Sequence, residues 1–174
     1  MESPCVRLQA SGSAAIALAG FAAVGWFTAT PPQGVLPEIG DQLFLSDVES
    51  TFGLDSRDPG RRWFLVLGTS CSVSLELVQN LAGIGTAAEC QGAELVPLVI
   101  ADGPDPGPFL ILLADQGFQA PGVADIKGAE VVRTTSVPAL LKVDATGRIE
   151  GVASASIAGS WPPETGCPSD GPSP

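Results

Sequence analysis

Apolar and polar residues alternate along this chain in a way that predicts strands separated by helices. Apolar runs at residues 63–67 (WFLVL) and 94–101 (ELVPLVIA) are typical of strands buried on both faces. The helix expected between them has one apolar face, formed by Leu77, Val78, Leu81 and Ile84. Gly83 and Gly85 are expected to mark the end of that helix. Pro97 removes one ladder donor from the second strand and is expected near an edge or a bulge.

The second half of the chain continues this alternation. Residues 109–116 (FLILLADQ) predict a helix, residues 122–124 a short strand, and residues 127–132 a helical turn. Residues 139–143 and 148–153, joined by the turn Asp-Ala-Thr-Gly, predict a β-hairpin. The order β-α-β-α followed by a hairpin predicts an α/β sandwich around a central mixed sheet.

Composition changes along the chain divide it into four segments. Residues 1–30 predict an N-terminal signal-anchor or transmembrane helix, and the Pro- and Gly-containing residues 31–40 predict a linker. The folded domain is expected over residues 41–155, and the Ser-, Gly- and Pro-rich residues 156–174 predict a disordered tail. At the start of the domain, residues 41–48 (DQLFLSDV) alternate enough to predict an entry strand or a hairpin arm.

The N-terminal apolar segment determines the expected compartment. No residue between Arg7 and Glu38 is charged, and a helix over residues 8–30 is roughly 34 Å long, enough to cross a hydrocarbon core of about 30 Å. A cleaved signal peptide is the alternative, but residues 28–30 match its exit motif only in part. We expect a retained anchor, with the soluble domain outside the cytoplasm, in the periplasm.

Charge and residue content exclude several classes of function. Eight basic residues against 19 acidic ones give a net charge of −11, which repels nucleic acid and anionic lipid headgroups. Because the chain has no histidine, a Ser-His-Asp triad, a Cys-His pair and an imidazole metal ligand are impossible. The four cysteines lack C-x-x-C spacing, so neither a metal nor another cofactor is expected.

A single cysteine is placed where an apolar strand passes into a helix. Cys71 follows WFLVLGTS, and a thiolate at a helix N-terminus is stabilised by free backbone N–H groups and the helix dipole. Ser74 occupies the position three residues on, where a second cysteine would complete a C-x-x-C pair. Cys90 and Cys167 are the remaining candidates for a resolving or structural role. Bridges between Cys71 and Cys90 and between Cys90 and Cys167 both remain open.

Two sequence segments carry a resemblance to a known family. WFLVLGTSCSVS and TTSVPALLKVDATGRI together make residues 36–155 resemble the membrane-anchored, extracytoplasmic thioredoxin-like proteins, including those of cytochrome c maturation and the accessory protein of methylamine utilisation. The resemblance implies a thioredoxin-like sandwich in which Pro138 follows a cis peptide bond and faces Cys71. Val137 stands where the family usually has Thr.

The resemblance also implies roles for the neighbours of these residues. Cys71, Ser74 and Pro138 are the expected catalytic residues, and Val137, Thr69 and Ser70 are expected to bind substrate, the backbone of Val137 by pairing with an extended peptide.

The function expected from these residues is that of a monothiol, C-x-x-S, thiol–disulfide or redox-accessory factor. Its partner is expected to be a protein substrate or a membrane protein complex, and membrane contact is expected through the N-terminal helix. Ser74 cannot release a mixed disulfide, so either an external thiol or a distant resolving cysteine, Cys90 or Cys167, is needed. The alternative is a non-catalytic thioredoxin-fold subunit of a membrane complex. A peroxiredoxin-like peroxidase is disfavoured, because Gly68 stands three residues before Cys71 where such enzymes carry Thr or Ser.

Overall fold

The computed structural model of this chain describes residues 35–55, 60–103, 105–154 and 167. Across these ranges no helix combines the length and the hydrophobicity that crossing a bilayer requires. The anchor expected at residues 1–30 lies outside the described residues, as does the tail apart from Cys167.

The described residues form one mixed β-sheet with helices on both faces. In chain order the elements are α1 (Leu45–Phe52), β1 (Arg61–Gly68), α2 (Ser72–Val78), α3 (Leu81–Cys90), β2 (Ala93–Ile100), α4 (Gly107–Asp115), β3 (Gly122–Ala124), α5 (Gly128–Val131), β4 (Ala139–Val143) and β5 (Ile149–Ser154). The strand order in the sheet is β3-β2-β1-β4-β5. Strands β1, β2 and β3 are mutually parallel, whereas β4 pairs antiparallel with β1 and β5 antiparallel with β4. The predicted α/β sandwich with a mixed sheet is confirmed.

The central strand β1 supplies both faces of the core, because successive side chains of a strand point to opposite sides. Leu65 and Leu67 pack in a cluster with apolar side chains of α2, α3 and α4. Phe64 and Val66 pack on the other face with side chains of α1 and α5. The continuous apolar run of the sequence is therefore a strand covered on both sides, as predicted.

The entry strand predicted at residues 41–48 is wrong. Only Gln42 forms an isolated β-bridge, to Arg148, and helix α1 begins at Leu45. Val48 and Phe52 are buried on one side of α1, at the four-residue spacing of a helix face. The helical spacing of these buried residues determines the secondary structure of the segment, in spite of the alternation of polar and apolar residues at its start.

The prediction of a single helix that ends at Gly83 or Gly85 is also wrong. The structure has two helices, and both glycines lie inside α3, which continues to Cys90. A glycine inside a helix costs about 1 kcal/mol. Ile84 and Ala88 are buried in the core, and this packing offsets that cost. The reversal into β2 instead occurs at Gly92, whose φ of 65° is left-handed.

Pro97 lies in β2, which has neighbours on both sides. It pairs with Leu65 of β1, but β3 pairs only with residues 98–100 of β2. Pro97 therefore lies just outside the two-sided part of the sheet, in agreement with the expectation of a position near an edge.

Part of the predicted linker is hydrogen-bonded to the domain. The backbone N–H of Val35 donates to the Thr135 hydroxyl at 2.8 Å, and that of Gly40 donates to the Ile149 carbonyl at 2.8 Å. Contacts with the domain thus begin before residue 41.

Two adjacent arginines of β1 form ion pairs in different surroundings. Arg62 is buried, and its Nη1 atom lies 2.7 Å from Oε1 of Glu49, which joins β1 to α1. Arg61 contacts Glu150 at 2.8 Å, but both side chains are exposed. A buried charge that loses one ionic partner gains little solvation in exchange, whereas water compensates for the same loss at the surface.

We therefore expect unequal costs for two otherwise identical substitutions. Glu49→Gln should lower the free energy of unfolding by about 3 kcal/mol, and Glu150→Gln by less than about 1 kcal/mol. Urea unfolding followed by circular dichroism measures both. Equal losses in the two variants would show that the buried pair does not stabilise the contact between α1 and β1.

Candidate functional site

Cys71 lies in the short turn that joins β1 to α2. The strand ends at Gly68, and the N–H of Cys71 donates to the Gly68 carbonyl at 3.2 Å. Cys71 is the N-cap of α2, with the extended backbone angles φ −92° and ψ 115°, and its carbonyl accepts the N–H of Leu75. The predicted passage from strand through cysteine to helix is confirmed.

The sulfur of Cys71 points inward. The residue is only 3% exposed. Its side chain packs in the core cluster that also contains Val137. Cys71 is disulfide-bonded in this structure.

The loop before β4 lies against this sulfur. The Sγ atom of Cys71 is 3.7 Å from the carbonyl oxygen of Val137, a residue 66 positions further along the chain. The peptide bond between Val137 and Pro138 is cis. The cysteine and the proline loop, which the sequence resemblance pairs, are therefore adjacent.

Two buried serines hold the proline loop in place. The hydroxyl of Ser154, at the end of β5, donates to the Pro138 carbonyl at 3.2 Å. The Ser136 and Ser154 hydroxyl oxygens are 2.9 Å apart. Ser154, near the end of the expected domain, is thus an integral part of the sheet.

Gly68 is the point at which the parts of the site come closest together. A Cβ atom on this residue would lie 2.9 Å from Cγ2 of Val137, closer than side chains approach without displacement. It would also lie 3.6 Å from Cβ of Cys71 and 3.4 Å from Oδ2 of Asp102. The absence of a side chain at Gly68 therefore permits all three residues to gather around the end of β1.

Asp102 is a site residue that sequence reasoning missed. Its Oδ1 atom accepts the Thr69 hydroxyl at 2.7 Å and the Ser70 backbone N–H at 2.8 Å, and its Oδ2 atom accepts the Ser70 hydroxyl at 2.5 Å. The predicted substrate-binding residues Thr69 and Ser70 thus use their hydroxyls to bind this carboxylate. One signal was available: Asp102 follows β2, and neighbouring parallel strands end at the same edge of a sheet.

These hydrogen bonds determine the ionisation of Asp102. Burial alone would raise its pKa, but the hydroxyls of Ser70 and Thr69, together with the backbone N–H groups of Ser70 and of Asp102 itself, outweigh burial. The net result is a pKa below the ordinary value of 3.8. A half-buried negative charge therefore borders the Cys71 turn at neutral pH.

Ser74 has a structural contact that its position in the motif does not reveal. The side chain is fully buried, and its Oγ atom accepts the backbone N–H of Gly68 at 3.2 Å. Ser74 therefore satisfies a buried donor at the end of β1 and links the first turn of α2 to the sheet. Its predicted catalytic role remains a prediction.

We expect Ser74→Ala to destabilise the protein by about 1 to 3 kcal/mol, because the buried N–H of Gly68 loses its acceptor. Ser72→Ala is the matched control, since Ser72 is an exposed serine of the same helix, and should change stability by less than about 0.5 kcal/mol. Urea unfolding measures both. A loss no larger for Ser74→Ala than for Ser72→Ala would contradict the assigned contact.

The other two described cysteines pair with each other. Cys90, the last residue of α3, is bonded to Cys167, with a Cα–Cα distance of 5.4 Å and 77 positions between them in sequence. Of the two pairings left open by the sequence, the structure has this one. It joins the distal tail to the domain.

A bond that closes so long a loop should stabilise the fold by restricting the unfolded chain. We expect Cys90→Ser, Cys167→Ser and the double variant to lose the same amount, about 2 to 4 kcal/mol of unfolding free energy. Non-reducing peptide mapping confirms the bond, and urea unfolding measures the loss. A double variant as stable as the wild type would show that the bond makes no net contribution.

The described residues contain no group of three or more His, Cys, Asp or Glu side chains arranged to hold a metal ion. Two open grooves of about 320 Å³ and 520 Å³ share Glu94, Leu95 and Phe118 in their linings. Both border the start of β2, whereas Cys71 follows the end of the parallel strand β1. The grooves and the Cys71 turn therefore lie at opposite ends of the sheet.

The strand order, the helix that begins after Cys71 and the proline loop before β4 form the arrangement implied by the sequence resemblance. The described chain has a thioredoxin-like α/β fold with a mixed five-stranded sheet.

Comparison with known proteins gives low similarities. No protein-family model matches the chain, and no curated protein matches its sequence. Among solved structures, a thioredoxin-like protein in its oxidised form is similar at 16% identity with a TM-score of 0.47, over 55% of this chain and 67% of that one.

Two further solved structures are similar at the same level. The putative thiol:disulfide interchange protein DsbE from Chlorobium tepidum is 14% identical, with a TM-score of 0.45, over 66% of this chain and 84% of that one. StoA from Bacillus subtilis is 9% identical, with a TM-score of 0.44, over 56% of this chain and 75% of that one.

Proposed function

We propose that this protein is a thiol–disulfide exchange or redox-accessory protein that acts on a protein substrate, with Cys71 as the exchanging sulfur. The observation that carries the proposal is the 3.7 Å approach of Cys71 Sγ to the Val137 carbonyl, directly before Pro138. A backbone carbonyl beside a sulfur allows an extended peptide to pair there while its own sulfur reacts.

The proposed exchange needs two thiols from outside the chain. An external thiolate first attacks the disulfide at Cys71, forms a new S–S bond with the former partner sulfur, and releases Cys71 as a thiolate. Cys71 then attacks a substrate disulfide, forms a mixed disulfide with one sulfur and releases the other as a thiolate. Since Ser74 has no thiol, a second external thiolate attacks the substrate sulfur of this mixed disulfide and releases Cys71.

The burial of Cys71 adds a condition to this proposal. A substrate disulfide reaches the sulfur only after the residues that cover it move. The turn of Thr69 and Ser70, which directly precedes Cys71, is held by side-chain hydrogen bonds at the surface. Such turns open more readily than core elements, so the condition is compatible with exchange.

The same proposal includes a location outside the cytoplasm and a membrane tether at residues 1–30. The absence of charge between Arg7 and Glu38 supports the tether. The bond between Cys90 and Cys167 supports an oxidising compartment, because structural disulfides persist there and are rare in the cytosol.

A non-catalytic thioredoxin-fold subunit of a membrane complex is the second candidate. Two observations favour it: Cys71 is buried, and the open grooves at the start of β2 lie away from Cys71, where a partner would contact the sheet edge without reaching the sulfur.

Trapping of mixed disulfides in the full chain tests the proposed exchange. After reduction, incubation with a disulfide-scrambled protein and acid quenching, we expect wild-type protein to form an adduct that Cys71→Ser lacks. Ser74→Cys places a second thiol one helical turn from Cys71 and should lower the adduct yield at least about tenfold, because internal attack releases the substrate. Ser72→Cys adds a thiol on the exposed side of the helix and serves as the matched control.

The outcome that favours the non-catalytic subunit is equally specific. Adducts that persist unchanged in Cys71→Ser, or a Cys71 that forms none until urea unfolds the protein, would exclude exchange at this sulfur.

A further inference from the structure

The Asp102 carboxylate differs from the other charged groups around the Cys71 turn in being half-buried. The charged residues on α2, on the loop after β2 and on the segment after β3 are all exposed; they are Glu76, Asp105, Asp125 and Lys127. Solvent and salt screen exposed charges, and they act less on a charge that is partly buried. Asp102 is therefore the dominant source of fixed charge at this turn among the described residues.

The carboxylate is also held in one orientation. Both of its oxygens accept hydrogen bonds from the Thr69–Ser70 turn, and the backbone N–H of Asp102 donates in return to the Thr69 hydroxyl at 3.3 Å. Its Oδ2 atom and the Cβ atom of Cys71 lie 3.4 Å and 3.6 Å from the same point above Gly68. The carboxylate oxygen and the Cys71 side chain therefore border the same small space above Gly68. A charge fixed so close to the cysteine acts on any charged group that approaches the sulfur.

We propose that Asp102 is a specificity-determining residue for the exchange at Cys71: its fixed negative charge disfavours anionic thiols and disulfides and favours cysteines in neutral or basic surroundings. This inference rests on the proposed function. It makes the substrate class more definite, since the preferred protein substrate has a cysteine flanked by uncharged or basic residues. Asp102 acts through charge and through the turn, without forming a bond to the substrate.

The ratio of two alkylation rates measures this effect without depending on exchange. Iodoacetate is an anion and iodoacetamide is neutral, and both alkylate the same thiolate. In the reduced full chain, with Cys71 followed by peptide mass spectrometry, Asp102→Asn should raise the iodoacetate-to-iodoacetamide rate ratio by about threefold or more. Asp102→Glu retains the charge and should keep a ratio near that of the wild type.

Asp144→Asn is the matched control. Asp144 also has a pKa held low by hydrogen bonds, chiefly from the Thr146 hydroxyl and the Arg148 backbone N–H, so its substitution removes the same single charge. It follows β4 at the end of the sheet opposite Cys71, since Val143 pairs with Arg62 near the start of β1. The rate ratio at Cys71 should not change in this variant.

A second measurement uses thiols of opposite charge. A mixed disulfide between Cys71 and a neutral thiopyridyl group is cleaved by cysteamine, a cation, or by 3-mercaptopropionate, an anion. The rate with cysteamine divided by the rate with 3-mercaptopropionate should fall by about threefold in Asp102→Asn. Intrinsic differences between the two thiols cancel when variants are compared. The same ratio can be measured for the wild type in its folded form and unfolded in urea, without any substitution. It should be higher in the folded protein, where Asp102 is fixed near Cys71.

The results that would overturn the inference differ from those that test the exchange. If Asp102→Asn changes both rates of a pair by the same factor, or if the folded wild type shows no preference over the unfolded chain, Asp102 only supports the turn. The absence of Cys71-dependent adducts with a protein substrate would instead exclude the proposed function while the rate ratios remained measurable.

Discussion

The antiparallel pairing of β1 with β4 is the constraint on which the candidate site depends. Val66 pairs with Ala139, so the end of β1 and the start of β4 lie side by side. The residues just beyond these ends, Cys71 after one strand and Val137 before the other, are brought together although 66 positions separate them. A parallel pairing of the same two strands would place the two loops at opposite ends of the sheet.

Ser74 illustrates how a motif and a fold impose different demands on one residue. As part of C-x-x-S it marks the loss of a second thiol, and in the structure it is the acceptor for the buried N–H of Gly68. A hydroxyl oxygen accepts such a hydrogen bond better than a thiol sulfur does. The serine therefore removes an internal route for resolving a mixed disulfide and strengthens the link between β1 and α2.

Local patterns in the sequence were sufficient to predict most of the fold. The apolar run of β1, the β-hairpin of β4 and β5 and the position of Cys71 between strand and helix follow from spacing and turn chemistry within a few residues. Helix α1 was missed because its buried face, which includes Val48 and Phe52, extends beyond residues 41–48, where alternating polar and apolar residues predicted a strand. Asp102 was missed for a different reason: its partners lie about thirty positions earlier, and only the parallel pairing of β1 with β2 brings them together.

The restraint of the turn before Cys71 and the position of the Asp102 charge depend on the same hydrogen bonds. The turn that precedes the cysteine is held by hydroxyl and amide donors on one carboxylate, so the same group that restrains the turn also sets the electrostatic surroundings of the sulfur. The pKa of Asp102 is lowered in the folded state, so its contribution to stability is fully present above about 3.8 and is lost only as the pH falls through the lower folded value. At neutral pH the turn and its negative charge are consequently present together, next to the residue that carries the sulfur.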